Sequence, residues 1–198
     1  LAEPVGSWII DTACEQAAHW RKSWPDFTVA VNLFTAQFRD GDLPRGLLAA
    51  LEKHDLESPA LELEITENII LDRQDPVLAQ LKELREAGFN LSFDDFGTGY
   101  ASLNMLRNFP VTGVKIDKSF TQVLQTSPKD KAIVISLIEL ARQLDLKVTV
   151  EGVESLADCK FLRAQGCEKG QGYLFGKPVP PDLFEEQFFA DGMAARLI

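Results

Sequence analysis

Short apolar segments with strand-like patterns alternate with helix-like segments along almost the whole chain. The predicted strands are residues 28–34, 61–66, 89–94, 113–117, 147–151 and 170–175. Helical spacing of apolar residues separates them, for example over 43–54, 76–87 and 129–144. Strands that alternate with helices in this way are typical of a parallel sheet covered by helices. The chain is therefore predicted to belong to the α/β class.

Two arrangements of a parallel sheet fit this alternation, an open doubly wound sheet and a (β/α)8 barrel. A doubly wound nucleotide-binding sheet would carry a glycine-rich phosphate loop after an early strand. The segment Gly97-Thr98-Gly99 lacks the third glycine at the required offset and follows two acids. A barrel instead predicts polar residues at the carboxyl ends of several strands. Such residues end or follow the predicted strands: Asn32, Glu64, Asp94, Asp95, Lys115, Asp117, Glu151 and Gln171. We therefore predict a TIM-like (β/α)8 barrel.

The number of strands is smaller than a closed barrel needs. Six strands are predicted where the barrel has eight, and the 198 residues fall short of the roughly 250 that are typical. Because the chain opens directly on a predicted helix, we expect the first strand or strands to lie before Leu1. Residues 1–198 are accordingly predicted to form one barrel domain that is incomplete at its N-terminus.

Period-two alternation predicts which side chains face the mouth of the barrel. Glu62, Glu64 and Thr66 share one face of their strand, while the apolar residues between them share the other. The adjacent carboxylates of Asp94 and Asp95 repel each other unless a cation lies between them. With two histidines in the chain and many acids, Mg²⁺ or Mn²⁺ is favoured over zinc.

Charge and cysteine content narrow the partners and the compartment. The net charge of −10 disfavours nucleic acid polymers and anionic membranes. No apolar run is long enough to cross a membrane, and no signal peptide is recognisable. Three scattered cysteines favour a reducing compartment. We expect a cytoplasmic location, either of the protein or of the cytoplasmic domain of a larger membrane-bound protein.

Several segments of the chain resemble the EAL domains, bacterial phosphodiesterases that hydrolyse the second messenger cyclic di-GMP. The matching segments, in the order of the family, are Val31–Leu33, Leu63–Glu67, Asp94–Tyr100, Lys115–Asp117, Glu151–Glu154 and Gln171–Phe175. Six segments in order, each at a strand end, are far more specific than any one of them. The resemblance implies a barrel fold and two divalent metals, Mg²⁺ or Mn²⁺.

The resemblance also implies a set of metal ligands. Asn32, Glu64 and Asp94 would bind one metal ion. Asp94 would bridge to a second ion, which Asp95 would also bind. The glutamate of the Glu-Ala-Leu motif that names the family completes the first metal shell, and no Glu-Ala-Leu occurs in this chain. That motif is expected upstream of Leu1.

Further residues take catalytic or binding roles by the same resemblance. Glu151 would be the general base, and Lys115 would orient the attacking water. Gln171 would hold a water or the substrate, Asp117 would belong to the same polar network, and Glu67 would anchor the loop 95–100. Tyr173 and Phe175 could stack on a guanine base, although packing is the favoured interpretation for both.

The implied function is hydrolysis of cyclic di-GMP to linear pGpG. The alternative is an EAL domain that binds cyclic di-GMP without hydrolysing it. A third possibility, a magnesium enzyme of another barrel family that stabilises an enediolate, is disfavoured by the segment 94–100. The resemblance also implies a homodimer and fusion to, or association with, sensory or diguanylate cyclase domains.

Overall fold

The computed structural model describes residues 2–39, 41–66, 69, 74–98 and 103–189. Its strands are β1 Val29–Asn32, β2 Leu61–Ile65, β3 Asn90–Phe96, β4 Gly113–Ile116, β5 Lys147–Val150 and β6 Lys169–Gly170. The helices are α1 Ala2–Trp20, α2 Leu43–Lys53, α3 Gln74–Glu86, α4 Leu103–Asn108, α5 Lys118–Thr121, α6 Pro128–Gln143, α7 Leu156–Ala164 and α8 Pro181–Phe188. Short 3₁₀ turns occur at Thr35–Phe38 and Ser58–Ala60. All six predicted strands are present, and the predicted α/β class is confirmed.

The chain forms two compact units. The first contains the described residues up to Asp94 together with those from 103 to Thr112. In this unit β1 pairs with β2, and β2 pairs with β3, both in parallel. The register places Asn32 opposite Glu64 and Glu64 opposite Ser92. One row across the first unit's sheet thus carries three polar residues.

The second unit contains Asp95–Thr98 and the described residues from Gly113 onward. Here β4, β5 and β6 pair in parallel, with Lys115 opposite Thr149 and Val150 opposite Gly170. Two further backbone bonds continue the ladder past the strand ends. The amide of Glu151 donates to the carbonyl of Ile116 over 3.0 Å, and the amide of Gln171 donates to that of Val150 over 2.9 Å. Glu151 and Gln171 therefore lie at the same carboxyl edge.

The burial of the strand residues explains the apolar and alternating patterns of the strand sequences. Leu61, Leu63 and Ile65 of β2 are fully buried, which accounts for the apolar half of the alternation. On the opposite face Glu64 is also buried, at 5% exposure. All four residues of β4 are buried, including Lys115. Strands enclosed on both faces are characteristic of parallel sheets with helical covers.

Serine caps set the start of two helices in the second unit. The Ser127 hydroxyl accepts from the amide of Asp130 at the start of α6, and the Ser155 hydroxyl accepts from that of Asp158 at the start of α7. Each satisfies a backbone donor that the first helical turn leaves free. The buried Asp158 carboxylate also accepts from Gln125 over 2.7 Å, which connects α7 to the loop before α6.

The sixth strand is shorter than predicted. The prediction of 170–175 was wrong after its first residue, because β6 ends at Gly170 and residues 173–175 form a turn. The amide of Phe175 donates to the carbonyl of Gly172 over 3.0 Å to close that turn. Gly172 lies so close to Val153 that a Cβ at this position would be 2.3 Å from the Val153 carbonyl oxygen. This backbone approach diverts the chain from the sheet.

Two global expectations can be compared with the described part of the chain. Among those residues, no helix combines the length and the apolar character needed to cross a membrane. All three cysteines are described, and all are free thiols. The expectation that a first strand lies before Leu1 stays a prediction.

Candidate metal and catalytic site

The end of β3 carries the two adjacent acids in an unusual backbone conformation. Asp95 has a φ of 54°, in the left-handed region. In a regular strand neighbouring side chains point to opposite faces, and a left-handed residue interrupts that alternation. Aspartate enters this region more readily than most residues, although at a cost on the order of 1–2 kcal/mol. The hydroxyl and the amide of Thr98 both donate to the Asp95 carbonyl, at 2.9 and 3.3 Å.

The unusual conformation allows adjacent carboxylates to serve one site. Asp94, Asp95 and Glu151 each offer one carboxylate oxygen, and these oxygens all lie within 4.8 Å of one another. A hard divalent cation takes oxygen ligands of this kind. The donor set therefore fits the kind of metal that the sequence predicts. Asp55 and Asp145 also have positive φ, but they follow the ends of α2 and α6, where such a residue commonly terminates a helix.

A buried ion pair lies beside these acids in the second unit. The Lys115 ammonium is 2.7 Å from Oε1 of Glu151, and the two side chains are only 6% and 16% exposed. Charges removed from water in this way are tolerated when they are paired at short range. The pair links β4 to the residue that follows β5. The structure thus brings together the two side chains for which catalytic roles are predicted.

The first unit holds the other predicted metal ligands in one row. Glu64 is buried and lies opposite Asn32, which is exposed. Ser92 faces Glu64 from β3, and its hydroxyl donates to the Glu62 carboxylate through a short hydrogen bond. Sequence reasoning did not single out Ser92. Its position two residues before Asp94 on the same strand could have identified it, because residues two apart share a face of a strand.

Asp117 has a structural role at the start of α5. Its Oδ1 atom accepts from the amide of Ser119 over 2.9 Å, which makes it the N-cap. Burial by itself would raise the pKa of this carboxyl. The hydrogen bonds from Ser119, with the backbone and charge of Lys118, outweigh burial and lower the pKa below its usual value. The predicted part of Asp117 in a catalytic network stays a prediction.

The remaining predicted residues lie at the edge of β6 or outside the described part of the chain. Gln171 is exposed directly after β6, and its carbonyl accepts from the amide of Val153 over 3.0 Å. Glu67 lies outside the described residues, as do Gly99 and Tyr100. Phe175 packs against Gly170, as expected. The prediction of packing was wrong for Tyr173, whose side chain is exposed.

Comparison with known proteins places the chain in a family. The family model of the EAL domain matches residues 1–178. The chain therefore belongs to the EAL domain family.

Among curated relatives, the chain is 40% identical over 183 residues to the bifunctional diguanylate cyclase/cyclic di-GMP phosphodiesterase MucR of Pseudomonas aeruginosa. It is 41% identical over 182 residues to the signaling protein YkoW of Bacillus subtilis. Each match covers 92% of this chain, but only 27% of MucR and 23% of YkoW. The chain thus spans about a quarter of the length of these relatives.

Solved structures of the family have the same fold. A complex of the MucR phosphodiesterase with c-di-GMP matches with a TM-score of 0.87 at 39% identity, over 93% of this chain and 75% of that one. The EAL domain of Mycobacterium smegmatis DcpA matches with a TM-score of 0.88 at 29% identity, over 96% and 86% of the two chains. These matches confirm the predicted barrel-type fold class.

Proposed function

We propose that this chain is a metal-dependent phosphodiesterase that hydrolyses cyclic di-GMP to linear pGpG. The observation that carries the proposal is the buried Lys115–Glu151 ion pair beside the carboxylates of Asp94 and Asp95. A general base and a cation are thereby held next to a possible metal site. Membership of the EAL family and the names of relatives such as MucR support the choice of substrate.

The metal ligands in this proposal come from three strand ends. Asn32, Glu64 and Asp94 would hold one Mg²⁺ or Mn²⁺ ion, and Asp94 and Asp95 would hold a second. When bound, such ions would neutralise charge on the phosphate and lower the pKa of the attacking water. The carboxylate oxygens of Asp94 and Asp95 support hard cations over zinc.

Side chains of this chain accept the proton of the attacking water and hold the reacting groups in position. Glu151 accepts a proton from the attacking water, while the Lys115 ammonium, 2.7 Å away, holds the carboxylate in position. The water oxygen forms a new bond to phosphorus, and the bond from phosphorus to the ribose 3′ oxygen breaks. That oxygen leaves with a proton from solvent, and the phosphate stays on the 5′ side of pGpG. Gln171, at the same edge as Glu151, binds the substrate or a water.

Replacement of Glu151 tests the proposal. With Mg²⁺ present, we expect the intact protein to convert cyclic di-GMP to pGpG, and liquid chromatography follows the product. Glu151→Gln should lower turnover by about 10²–10⁴-fold, the usual contribution of a general base, with cyclic di-GMP affinity largely retained. Glu168→Gln is the matched control, because Glu168 is an exposed acid just before β6, at the opposite end of that strand.

Two results would count against the proposal. If the intact protein binds cyclic di-GMP with Mg²⁺ but forms no product, the non-hydrolysing receptor is the better interpretation. If Glu151→Gln turns over normally, Glu151 is not the base. Homodimer formation, a cytoplasmic location, and fusion to sensory or diguanylate cyclase domains stay predictions.

A further inference from the structure

The loop between β5 and α7 carries the proposed base at its first position and a helix cap at its last. Glu151 follows β5 directly, and Ser155 is the N-cap of α7, so residues 151–155 connect the two elements without regular structure. The backbone at Glu151 is bonded to the carbonyl of Ile116. The far end of the loop must also be fixed, because irregular backbone has many conformations from which one must be selected.

A buried carboxylate fixes that far end. Asp158 is the third residue of α7 and is only 8% exposed. Its amide donates to the Ser155 hydroxyl oxygen over 3.1 Å, and the Ser155 hydroxyl donates to its Oδ2 atom over 2.5 Å. The other carboxylate oxygen, Oδ1, accepts from Nε2 of Gln125 over 2.7 Å. Both carboxylate oxygens are therefore engaged, which offsets the cost of removing a charged group from water.

Helix capping accounts for only part of this arrangement. The same Ser-x-x-Asp pattern begins α6, where the Ser127 hydroxyl accepts from the amide of Asp130 over 3.3 Å. A serine cap satisfies a free backbone donor in both helices. It does not account for the contact of Asp158 with Gln125, which lies 33 residues away in the turn between α5 and α6. That contact ties the start of α7 to another part of the second unit.

The Gln125 contact is one of three places where the chain from β4 to α6 meets the chain from β5 to α7. At one end the Lys115 ammonium lies 2.7 Å from Oε1 of Glu151. Next to it, a Cβ on Gly152 would lie 2.6 Å from Cβ of Lys118. The bond to Asp158 joins the other end. The buried carboxylate and the Lys115–Glu151 ion pair thus belong to one frame.

We propose that Asp158 is a positioning residue for the base Glu151. Together with Gln125 and Ser155, it holds the far end of the loop so that the Glu151 carboxylate keeps its place beside Lys115. Asp158 touches neither the substrate nor the attacking water and acts only through Glu151. A base misplaced by about 1 Å loses on the order of 10²-fold in rate, so the effect falls on turnover more than on binding. The inference rests on the proposed function, because it takes Glu151 as the proton acceptor.

Steady-state kinetics of the intact protein with cyclic di-GMP and Mg²⁺ test this role. Asp158→Ala should lower kcat by about 10–100-fold and leave KM within about threefold. Asp158→Asn should restore kcat to within about threefold of the parent, because its amide oxygen accepts from Gln125 and its amide nitrogen donates to the Ser155 oxygen. Gln125→Ala changes an exposed residue and should lower kcat by about 2–10-fold, the effect of one hydrogen bond. It should add no further loss to Asp158→Ala.

A background without the base separates positioning from stability. In Glu151→Gln, the further change Asp158→Ala should cause no additional fall in turnover, since a residue that acts through the base has no effect once the base is gone. Asp130→Ala is the matched control, because Asp130 has the same place in the first turn of α6 and the loop before it carries none of the proposed catalytic residues. That variant should keep the kcat of the parent.

The outcomes distinguish this inference from the proposed function. If the parent is active and Asp158→Ala lowers the Tm while kcat stays the same, Asp158 only stabilises the fold and the positioning role is wrong. The role is also wrong if Asp158→Ala lowers turnover equally with and without Glu151. If Asp158→Ala does not fold, Gln125→Ala decides, and a parental kcat in that variant overturns the inference. If the parent does not hydrolyse cyclic di-GMP, the proposed function fails and the positioning role with it.

Discussion

Lys115 is a cation enclosed by protein, and it reaches one carboxylate of the candidate site at 2.7 Å. Removing two charges from water costs several kcal/mol per ion unless they are paired closely. The placement of this pair therefore restricts Lys115, since its removal leaves the Glu151 carboxylate without this cation in a poorly solvated environment. This couples stability to the proposed catalytic function.

The ion pair should be visible in the free energy of unfolding. Lys115→Met leaves Glu151 without its ammonium, and we expect a loss of about 3–5 kcal/mol in urea unfolding. Glu151→Gln in the same background removes the uncompensated charge. The double variant should therefore lose less than the sum of the two single losses, by about 0.5–3 kcal/mol. Additive losses would show that the two side chains do not stabilise each other.

The loop from Glu151 to Val153 is held between two neighbouring elements. Gly152 has a φ of 68°, and a Cβ there would lie 2.6 Å from Cβ of Lys118, next to the start of α5. On the other side, Val153 is bonded to the turn after β6. The position of Glu151 therefore depends on contacts with α5 and with the 171–175 turn, and not only on β5.

A glycine pair tests this dependence at the level of elements. Gly152→Ala introduces both a left-handed alanine and a contact with Lys118, so we expect a loss of about 1–3 kcal/mol in unfolding free energy and a fall in turnover. Gly46→Ala is the control, because Gly46 lies within α2 and has open space at its Cβ position. That change should stabilise the chain by about 0.5–1 kcal/mol. Equal effects at the two positions would argue against the close packing of the loop.

Across the whole molecule, acids outnumber bases by ten, and part of this excess is concentrated at one strand end. Carboxylates brought within reach of one another in the native state repel until a cation is bound. A metal that binds the folded chain and not the unfolded one then adds to stability by mass action. In the proposed site, metal binding and folding would thus be coupled through Asp94 and Asp95.

Thermal unfolding should report this coupling. Mg²⁺ at about 100 times its dissociation constant should stabilise the chain by about 2.7 kcal/mol, a rise in Tm of about 5–10 °C. Asp95→Asn should remove most of that rise. Asp145→Asn should retain it, because Asp145 has a similar left-handed conformation at the end of α6 but lies outside the acid group. The same rise in both variants would exclude Asp95 as a metal ligand.

Particular residues show how far sequence reasoning reaches. The alternation of Leu61, Leu63 and Ile65 with acids predicted a strand and its buried face, and the structure confirms both. The left-handed conformation of Asp95 was not predictable, because aspartate adopts several backbone conformations and the surrounding structure selects one. Tyr173 was expected to pack, but it is exposed on a turn that is hydrogen-bonded to Val153.

The sequence by itself determined the α/β class, the strands and the acids, amide and lysine placed at their ends, because period-two and helical patterns are local properties of the chain. Tertiary structure decided which of these side chains meet. The 2.7 Å contact of Lys115 with Glu151, the approach of Glu151 to Asp94 and Asp95, and the exposed turn at Tyr173 all depend on approaches between distant segments. Such approaches are set by packing and backbone strain, which no local pattern encodes.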